Sequence, residues 1–196
     1  MNLSYTEPMN EKYWNISIGK TIRDGMAFNS GLWGQKKIDA DSIPQTVSDL
    51  LVLFKQRNVD YVIVGGIALL TYIQGRNTSN LDLIMAVHSL EKIPEIKLKD
   101  REQFFARGEY QGLQLDFLFS DHPLFKLISR KYVAPRNFQE KRLVTATVEG
   151  LLLLKLFALP SLYLQGDFTR VGIYENDIAT LIQYYSSDEA SLIQIL

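Results

Sequence analysis

Residues 61–83 read YVIVGGIALLTYIQGRNTSNLDL, and the pattern of this segment indicates the fold class. Its first four residues, Tyr61 to Val64, are β-branched or aromatic, which predicts a short buried strand that stops at Gly65-Gly66. Ile67 to Ile73 then predicts a helix, and Leu81 to Val87 predicts a second strand. A strand, a glycine turn, a helix and a second strand together indicate a mixed α/β domain.

The second predicted strand carries polar residues on one face. Side chains alternate along a strand, so Asn80 and Asp82 point to the same side, with Ile84 next in that row. A third polar position follows in a predicted hairpin, whose arms Phe104 to Tyr110 and Leu113 to Phe119 flank a Gln-Gly turn. Asp116 lies on the second arm and faces away from its apolar residues.

The remaining chain is predicted to be irregular at the start and helical at the end. Residues 1–40 contain scattered glycines and suit an arm or irregular cap better than a core element. Residues 41–148 form the predicted core, which opens with an amphipathic helix capped by Ser42 and ending near Arg57. Residues 149–196 form a helical part of the same domain. The other predicted elements are a helix over Pro123 to Lys131, a strand over Leu143 to Val148, a helix over Glu149 to Leu159 ended by Pro160, and helices over Asp177 to Tyr185 and Ser191 to Leu196.

Composition excludes several functional classes. The chain has 196 residues, a formal net charge of -1, no cysteine and two histidines. Disulfide frameworks, zinc-thiolate sites and thiol nucleophiles are therefore absent, and a bound metal would need oxygen ligands. The longest apolar stretch, Leu151 to Leu159, is interrupted by Lys155 and falls far short of the ~20 residues that span a bilayer. We expect a cytoplasmic protein without a membrane partner.

The glycine pair and the polar strand positions together indicate phosphoryl chemistry. A turn at Gly65 and Gly66 lets backbone N–H groups approach a phosphate closely. Asn80, Asp82 and Asp116 offer the oxygen ligands that Mg²⁺ or Mn²⁺ prefers, and Mg²⁺ needs few of them when substrate phosphates supply the rest. Each feature alone has an ordinary structural explanation, as a plain turn or a hydrogen-bonded strand residue; only their ordered combination favours the chemistry.

In these motifs the chain resembles the nucleotidyltransferase superfamily of DNA polymerase β type, and in particular its small bacterial AbiEii-like branch of minimal nucleotidyltransferases. The match lies in the 61–69 strand and glycine pair, in Arg76-Asn77-Thr78-Ser79-Asn80-Leu81-Asp82, and in Leu115-Asp116-Phe117. It continues in the 148–156 helix that carries Lys155 and in Asn176-Asp177-Ile178. The resemblance implies a small mixed sheet flanked by helices, with a helical C-terminal part, over residues 41–185.

The resemblance also implies roles for individual residues. Asp82, Asp116 and Lys155 would be catalytic, and Asn80 would join the two aspartates in holding the metal. Nucleotide-binding roles would fall to Gly65, Gly66, Arg76, Thr78, Lys155 and Asp177. Simpler alternatives stay open: Lys155 as a lysine reaching out of a buried helix, Asp177 as a carboxylate at a helix N-terminus, Arg76 as a solvent-facing loop residue, and Thr78 as a turn residue.

The sequence departs from the superfamily pattern at two places. Asn80 stands where the pattern has the first carboxylate, so metal affinity and charge neutralisation should both fall. Ile173 and Tyr174 replace a Lys-Asp pair that is usual before the last aspartate. Two functions remain in competition: a Mg²⁺-dependent transfer of a nucleoside monophosphate from an NTP to a hydroxyl acceptor, linked to a toxin–antitoxin system, or a catalytically impaired regulator that binds a nucleotide or a partner.

The sequence says less about the binding partners than about the type of reaction. The acceptor is open among an RNA end, a protein and a small molecule, and the oligomeric state is also open, because the apolar C-terminal helices could serve to dimerise. The segment from Phe125 to Arg142 is rich in Lys and Arg and contains interleaved aromatics, which indicates either an electrostatic guide for RNA or triphosphate, or a solvated helix face. His88 and His122 have no evident partner and are expected in loops.

Overall fold

The computed structural model describes residues 15–27, 39–185 and 189–196, and it confirms a mixed α/β fold. Helices and strands are interspersed along the chain, and the strands form one sheet. The helices are α1 (Ile18–Ala27), α2 (Ile43–Gln56), α3 (Gly65–Leu69), α4 (Val87–Glu91), α5 (Pro123–Lys131), α6 (Val148–Leu164), α7 (Phe168–Tyr184) and α8 (Glu189–Ile193). The strands are β1 (Tyr61–Val64), β2 (Asn80–Met85), β3 (Lys97–Arg101), β4 (Phe105–Tyr110), β5 (Leu113–Phe119), β6 (Val133–Asn137) and β7 (Arg142–Ala146).

The described strands form one seven-stranded mixed sheet in the order β3-β4-β5-β2-β1-β7-β6. At its centre β2 runs parallel to β5 and antiparallel to β1. The hairpins β3–β4–β5 and β6–β7 complete the two sides. The central strands have alternating or continuous apolar residues that are almost fully buried, as expected for strands covered on both faces.

Helix α1 lies within the stretch that we expected to be an irregular arm, and it contributes to the core. Ile18 and Ile22 are fully buried in the hydrophobic cluster. The carboxylate of Glu140 accepts hydrogen bonds from the backbone N–H groups of Ile18 and Gly19, which fixes the start of the helix. The other residues of the 1–40 stretch lie mostly outside the described residues, so the division of the chain into three parts stays a prediction.

Several boundaries differ from the sequence prediction. Helix α3 ends at Leu69, well before Ile73, and α6 continues through Pro160 instead of ending there. Pro160 lies on the exposed side of α6, where water can take the hydrogen bond of the carbonyl that its missing N–H leaves free. Helix α7 starts at Phe168, nine residues before the predicted start, so Asp177 lies in the middle of the helix and is not an N-terminal carboxylate.

One of the two histidines lies in a loop, as expected. His122 lies in the turn between β5 and α5 and is the N-cap of α5, where its Nδ1 accepts a hydrogen bond from the Leu124 N–H, whereas His88 belongs to α4. The His122 ring also packs against three phenylalanines, Phe104, Phe125 and Phe157, at centroid distances of 4.7–5.0 Å. In the part of the chain that the structure describes, no helix is long and apolar enough to cross a membrane.

Candidate active site

Two aspartates lie side by side where β2 and β5 meet. The parallel register places Asp82 opposite Asp116 and Asn80 opposite Gln114. Because side chains alternate along each strand, Asn80, Asp82 and Asp116 share one face of the sheet, as the sequence predicted. This face forms the floor of a cleft of about 670 Å³ that both aspartates line.

The side-chain amide of Asn80 connects the two carboxylates. Its Nδ2 donates to Asp82 Oδ1 at 2.9 Å and to Asp116 Oδ2 at 3.1 Å. The Thr78 hydroxyl donates to Asn80 Oδ1 at 3.1 Å and so orients the amide. Thr78 therefore acts on a neighbouring side chain of the site, which is one of the two alternatives that the sequence left open.

Arg107 is a member of the site that sequence reasoning missed. Its Nε donates to Asp116 Oδ1 at 2.9 Å, and β4 places it directly opposite Asp116. The predicted hairpin contained the signal: a two-residue turn pairs position 110 with 113, and counting outward pairs 107 with 116. Asp116 thereby has a cationic partner that Asp82 lacks.

The environment of Asp82 makes its ionised form costly. Burial raises the pKa of Asp82 to about 6, and the neighbouring charge of Asp116 acts in the same direction. Hydrogen bonds from the Gly66 N–H and from Asn80 oppose this shift. The floor of the cleft is therefore a place where an additional positive charge would be stabilised.

The glycine pair is needed to accommodate the site residues. Gly65 has φ +59°, and a Cβ there would lie 2.0 Å from Asp82 Oδ2. A Cβ at Gly66 would lie 2.6 Å from the Cβ of Thr78. The two glycines thus allow β1 and α3 to approach Asp82 and Thr78 closely. Gly65 lines the cleft, whereas the N–H of Gly66 bonds the Asp82 carboxylate; contact of the glycines with a triphosphate stays a prediction.

A buried ion cluster lies beside the cleft; Lys155 lines the cleft, whereas Arg76 and Asp177 do not. Lys155 Nζ and Arg76 Nη2 contact Asp177 Oδ2 at 2.8 and 2.9 Å, so neither the solvent-facing alternative for Arg76 nor the snorkelling alternative for Lys155 describes the structure. Lys155 is 6% exposed and lies 4.2 Å from the centre of the Tyr174 ring. Burial lowers the pKa of Lys155, and the charge of Asp177 opposes that shift.

Two buried polar atoms of this cluster lack a hydrogen-bond partner among the described residues: Asp177 Oδ1 and Arg76 Nε. Buried polar groups are normally paired, so these atoms are places where a ligand or water could bind. Lys155 itself borders the cleft, together with Arg170 and Tyr174 of α7. Lys155 and Arg170 therefore form a cationic part of the cleft lining, called the basic wall below.

The far end of the cleft is aromatic. Phe104, His122, Phe125 and Phe157 line it, and none of the six Lys and Arg residues of the 125–142 segment does. Lys141 instead bonds the Leu51 carbonyl, and Arg136 bonds the Tyr72 hydroxyl. The structure thus gives no support to that segment as a guide for RNA into this cleft.

The donor set fits one hard divalent cation. Two carboxylates and an amide oxygen are the oxygen ligands that Mg²⁺ and Mn²⁺ accept, but Asn80 would have to turn its amide so that Oδ1 faces the aspartates. Thr78 can accept as well as donate, so it can satisfy either end of the amide. No cluster of three or more His, Cys, Asp or Glu side chains that could hold a metal occurs among the described residues.

The fold has counterparts among solved structures. No protein-family profile and no curated protein matches the sequence. The chain is similar to an antigenic nucleotidyltransferase-like protein from Paracoccidioides brasiliensis, with a TM-score of 0.50 and 19% identity over 71% of this chain and 74% of that chain. It is also similar to the antibiotic-resistance factor ANT(2'')-Ia, with a TM-score of 0.50 and 13% identity over 76% of this chain and 94% of that chain. The chain therefore has a nucleotidyltransferase-like fold.

Proposed function

We propose that this chain is a cytoplasmic nucleotidyltransferase, which moves a nucleoside monophosphate from an NTP to a hydroxyl acceptor and releases pyrophosphate. The observation that carries the proposal is the pairing of Asp82 and Asp116 on adjacent parallel strands, in a cleft that Lys155 and Arg170 also line. The nucleotidyltransferase-like fold supports it by analogy only, because one fold can host many activities.

Asp82, Asp116 and the turned amide of Asn80 would hold Mg²⁺ or Mn²⁺. The cation would neutralise charge on the phosphates and orient them for displacement. Asp82 is the residue whose environment most favours a cation, since burial and Asp116 both act against its negative charge. Thr78 would position the amide through its hydroxyl.

The basic wall would bind the triphosphate. Lys155 and the exposed Arg170 border the cleft, and Asp177 holds both Lys155 and Arg76 in place. In the transfer step the acceptor oxygen bonds to the α-phosphorus, the bond from that phosphorus to pyrophosphate breaks, and Asp116 takes the acceptor proton. Gly65 would allow the triphosphate to approach the backbone at the edge of the cleft.

The acceptor class is part of the proposal. The candidates are RNA ends, proteins and small molecules, as the sequence left them, and one structural neighbour is described as an antibiotic-resistance factor. An AbiEii-like, toxin–antitoxin role is the biological setting that the sequence motifs favour. All three acceptor classes can be distinguished in a single labelling experiment.

The experiment incubates the protein with each of four α-labelled NTPs, a cell extract, and Mg²⁺ or Mn²⁺. We expect the wild type to label one acceptor. Asp82→Ala and Asp116→Ala should each reduce labelling at least about a hundredfold, because each removes a carboxylate that would hold the divalent cation beside the reacting phosphate. Asp60→Ala, which removes an exposed carboxylate before β1, is the matched control and should label like the wild type. Wild-type labelling by Asp82→Ala would contradict the proposed site.

The second candidate is a regulator that binds a nucleotide or partner without turnover. The Asn80 amide favours it, because both of its N–H groups occupy carboxylate oxygens that a cation would need. Asn80→Asp separates the two candidates. Activity that appears only in Asn80→Asp would identify a decayed site, whereas activity that the substitution abolishes would show that the amide is required.

A further inference from the structure

Three charged side chains lie in a row across three neighbouring strands. Asp82 on β2 lies opposite Asp116 on β5, and Asp116 lies opposite Arg107 on β4. Strand register fixes the positions of their backbones, so the guanidinium is part of the sheet face that carries the aspartates and not of a mobile loop. Arg107 lines the same cleft as both carboxylates.

The guanidinium covers one edge of the carboxylate pair. Asp116 Oδ1 accepts from Arg107 Nε at 2.9 Å and from Gln114 Nε2 at 3.4 Å. Only Oδ2 of Asp116 remains directed toward Asp82, and it accepts from the Asn80 amide. A cation that bridges the two aspartates can reach this Oδ2 once the amide turns, but a second cation at Oδ1 would displace Arg107.

The local charge agrees with the geometry. Asn80 contributes no charge, Arg107 pairs with Asp116, and the charge of Lys155 also acts on Asp82. One divalent cation already supplies as much positive charge as the two carboxylates carry negative charge, and a second would add its repulsion to that of Arg107 at close range.

From this geometry we infer that the site binds a single divalent cation and that the guanidinium of Arg107 takes the place of a second one. The inference rests on the proposed function for the existence of the cation site. It assigns Arg107, which the sequence motifs do not include, as the residue that sets the number of cations. It also assigns the Asn80 amide as the group that must turn when the cation binds.

The test is a titration of the full chain with Mn²⁺ alone, in which electron paramagnetic resonance measures the free ion. We expect one bound Mn²⁺ per wild-type chain, and binding at least about tenfold tighter in Arg107→Gln, because a positive charge beside the cation is removed. Arg107→Lys keeps the charge and should bind like the wild type within about threefold. The double variant Asn80→Asp/Arg107→Gln should bind two ions.

Arg101→Gln is the matched control, because Arg101 is an exposed arginine on the adjacent strand β3. It should leave both the number of ions and the affinity unchanged, and circular dichroism of every variant checks the fold. Two ions, or none, in the wild type would overturn the inference, as would Arg107→Gln with wild-type affinity. Nucleotide labelling is measured separately: labelling with two bound ions contradicts this inference alone, and one bound ion without labelling contradicts the proposed function alone.

Discussion

At the residue scale, the two aspartates of the candidate site differ in their surroundings: Asp82 accepts from the Asn80 amide and the Gly66 N–H, whereas Asp116 accepts from Asn80 and from Arg107. Strand alternation predicted one shared face for Asn80 and Asp82, and the parallel register of β2 and β5 places Asp116 on that face as well. The sequence could not predict the orientation of the Asn80 amide, because the hydrogen bonds to Thr78 and to both carboxylates fix that orientation only after the strands pair. The pairing of Arg107 with Asp116 could have been predicted from the hairpin, since a turn of known length fixes every residue pair along the two arms.

The pKa of Asp82 leads to a prediction about stability. The folded-state pKa of about 6 lies above the ordinary value of 3.8, so the folded protein binds the proton more tightly than the unfolded chain does. Ionised Asp82 therefore destabilises the fold at pH 7 and above, and this penalty disappears as pH falls from about 6 to about 4. Asp82→Asn should raise the free energy of unfolding by about 1–2 kcal/mol at pH 8 and by almost nothing at pH 4.

Urea denaturation at the two pH values measures this difference. Asp60→Asn, which neutralises an exposed carboxylate, is the control and should leave stability nearly unchanged at both. Mg²⁺ should raise the melting temperature of the wild type and not that of Asp82→Asn, because a ligand that binds only the folded state stabilises it. An Asp82→Asn protein that is less stable than the wild type at pH 8 would contradict the prediction that ionised Asp82 destabilises the fold.

At the element scale, the elements with a clear hydrophobic period were predictable and the others were not. The β4–β5 hairpin, α2 and α5 agree with their predicted positions. Strand β3 was missed because all of its residues are exposed, and β6 was missed because Pro135 interrupts an edge strand. Helix α1 differs from the predicted irregular arm because its glycines, a residue type that usually disfavours helix, here allow close packing against neighbouring backbone.

Gly25 provides a test of how α1 supports the site. A Cβ at this position would lie 2.1 Å from the backbone oxygen of Thr78, the residue that orients Asn80. Gly25→Ala should therefore push α1 away from Thr78 and lower the free energy of unfolding by about 1–3 kcal/mol. Labelling activity should fall as well, because displacement of Thr78 removes the hydroxyl that bonds the Asn80 amide and supports it beside the aspartates.

Gly172→Ala is the matched control. Gly172 lies inside α7, and a Cβ there would meet nothing within 4 Å. Alanine should raise stability by up to about 1 kcal/mol through its higher helix propensity. Thermal and urea unfolding of both variants measure the contrast, and equal effects at the two glycines would contradict the close-packing explanation.

At the scale of the whole molecule, the buried ion cluster joins the C-terminal helices to the rest of the chain. Lys155 belongs to α6, Asp177 to α7, and Arg76 to the segment before β2. The resemblance implied functional roles for these residues, but the sequence could not show that they contact one another, because separation along the chain does not give distance in space. The cluster supports the prediction that residues 149–196 belong to the same domain as the sheet.

Removal of one charge from this cluster should be costly. Lys155→Met removes one of the two cations that pair with Asp177, which is 1% exposed, and we expect a loss of about 1.5–3 kcal/mol in the free energy of unfolding, because a buried hydrogen bond between charged groups is lost while Arg76 remains. The double variant Lys155→Met/Asp177→Leu should recover part of that loss, because it also removes the buried carboxylate, although Arg76 then lacks its partner. Lys126→Met on α5, an exposed lysine, is the control in the same urea titration. A free energy of unfolding for Lys155→Met within about 1 kcal/mol of the wild-type value would contradict a stabilising buried ion pair between Lys155 and Asp177.

The most direct test of the account is the stoichiometry of the transfer. Pyrophosphate released and labelled nucleotide incorporated are measured in the same reaction, for the wild type and for Asp116→Ala. We predict one pyrophosphate for each incorporated nucleoside monophosphate in the wild type, and loss of both products together in the variant. Release of orthophosphate in place of pyrophosphate, or incorporation that survives in Asp116→Ala, would contradict nucleotidyl transfer at this site.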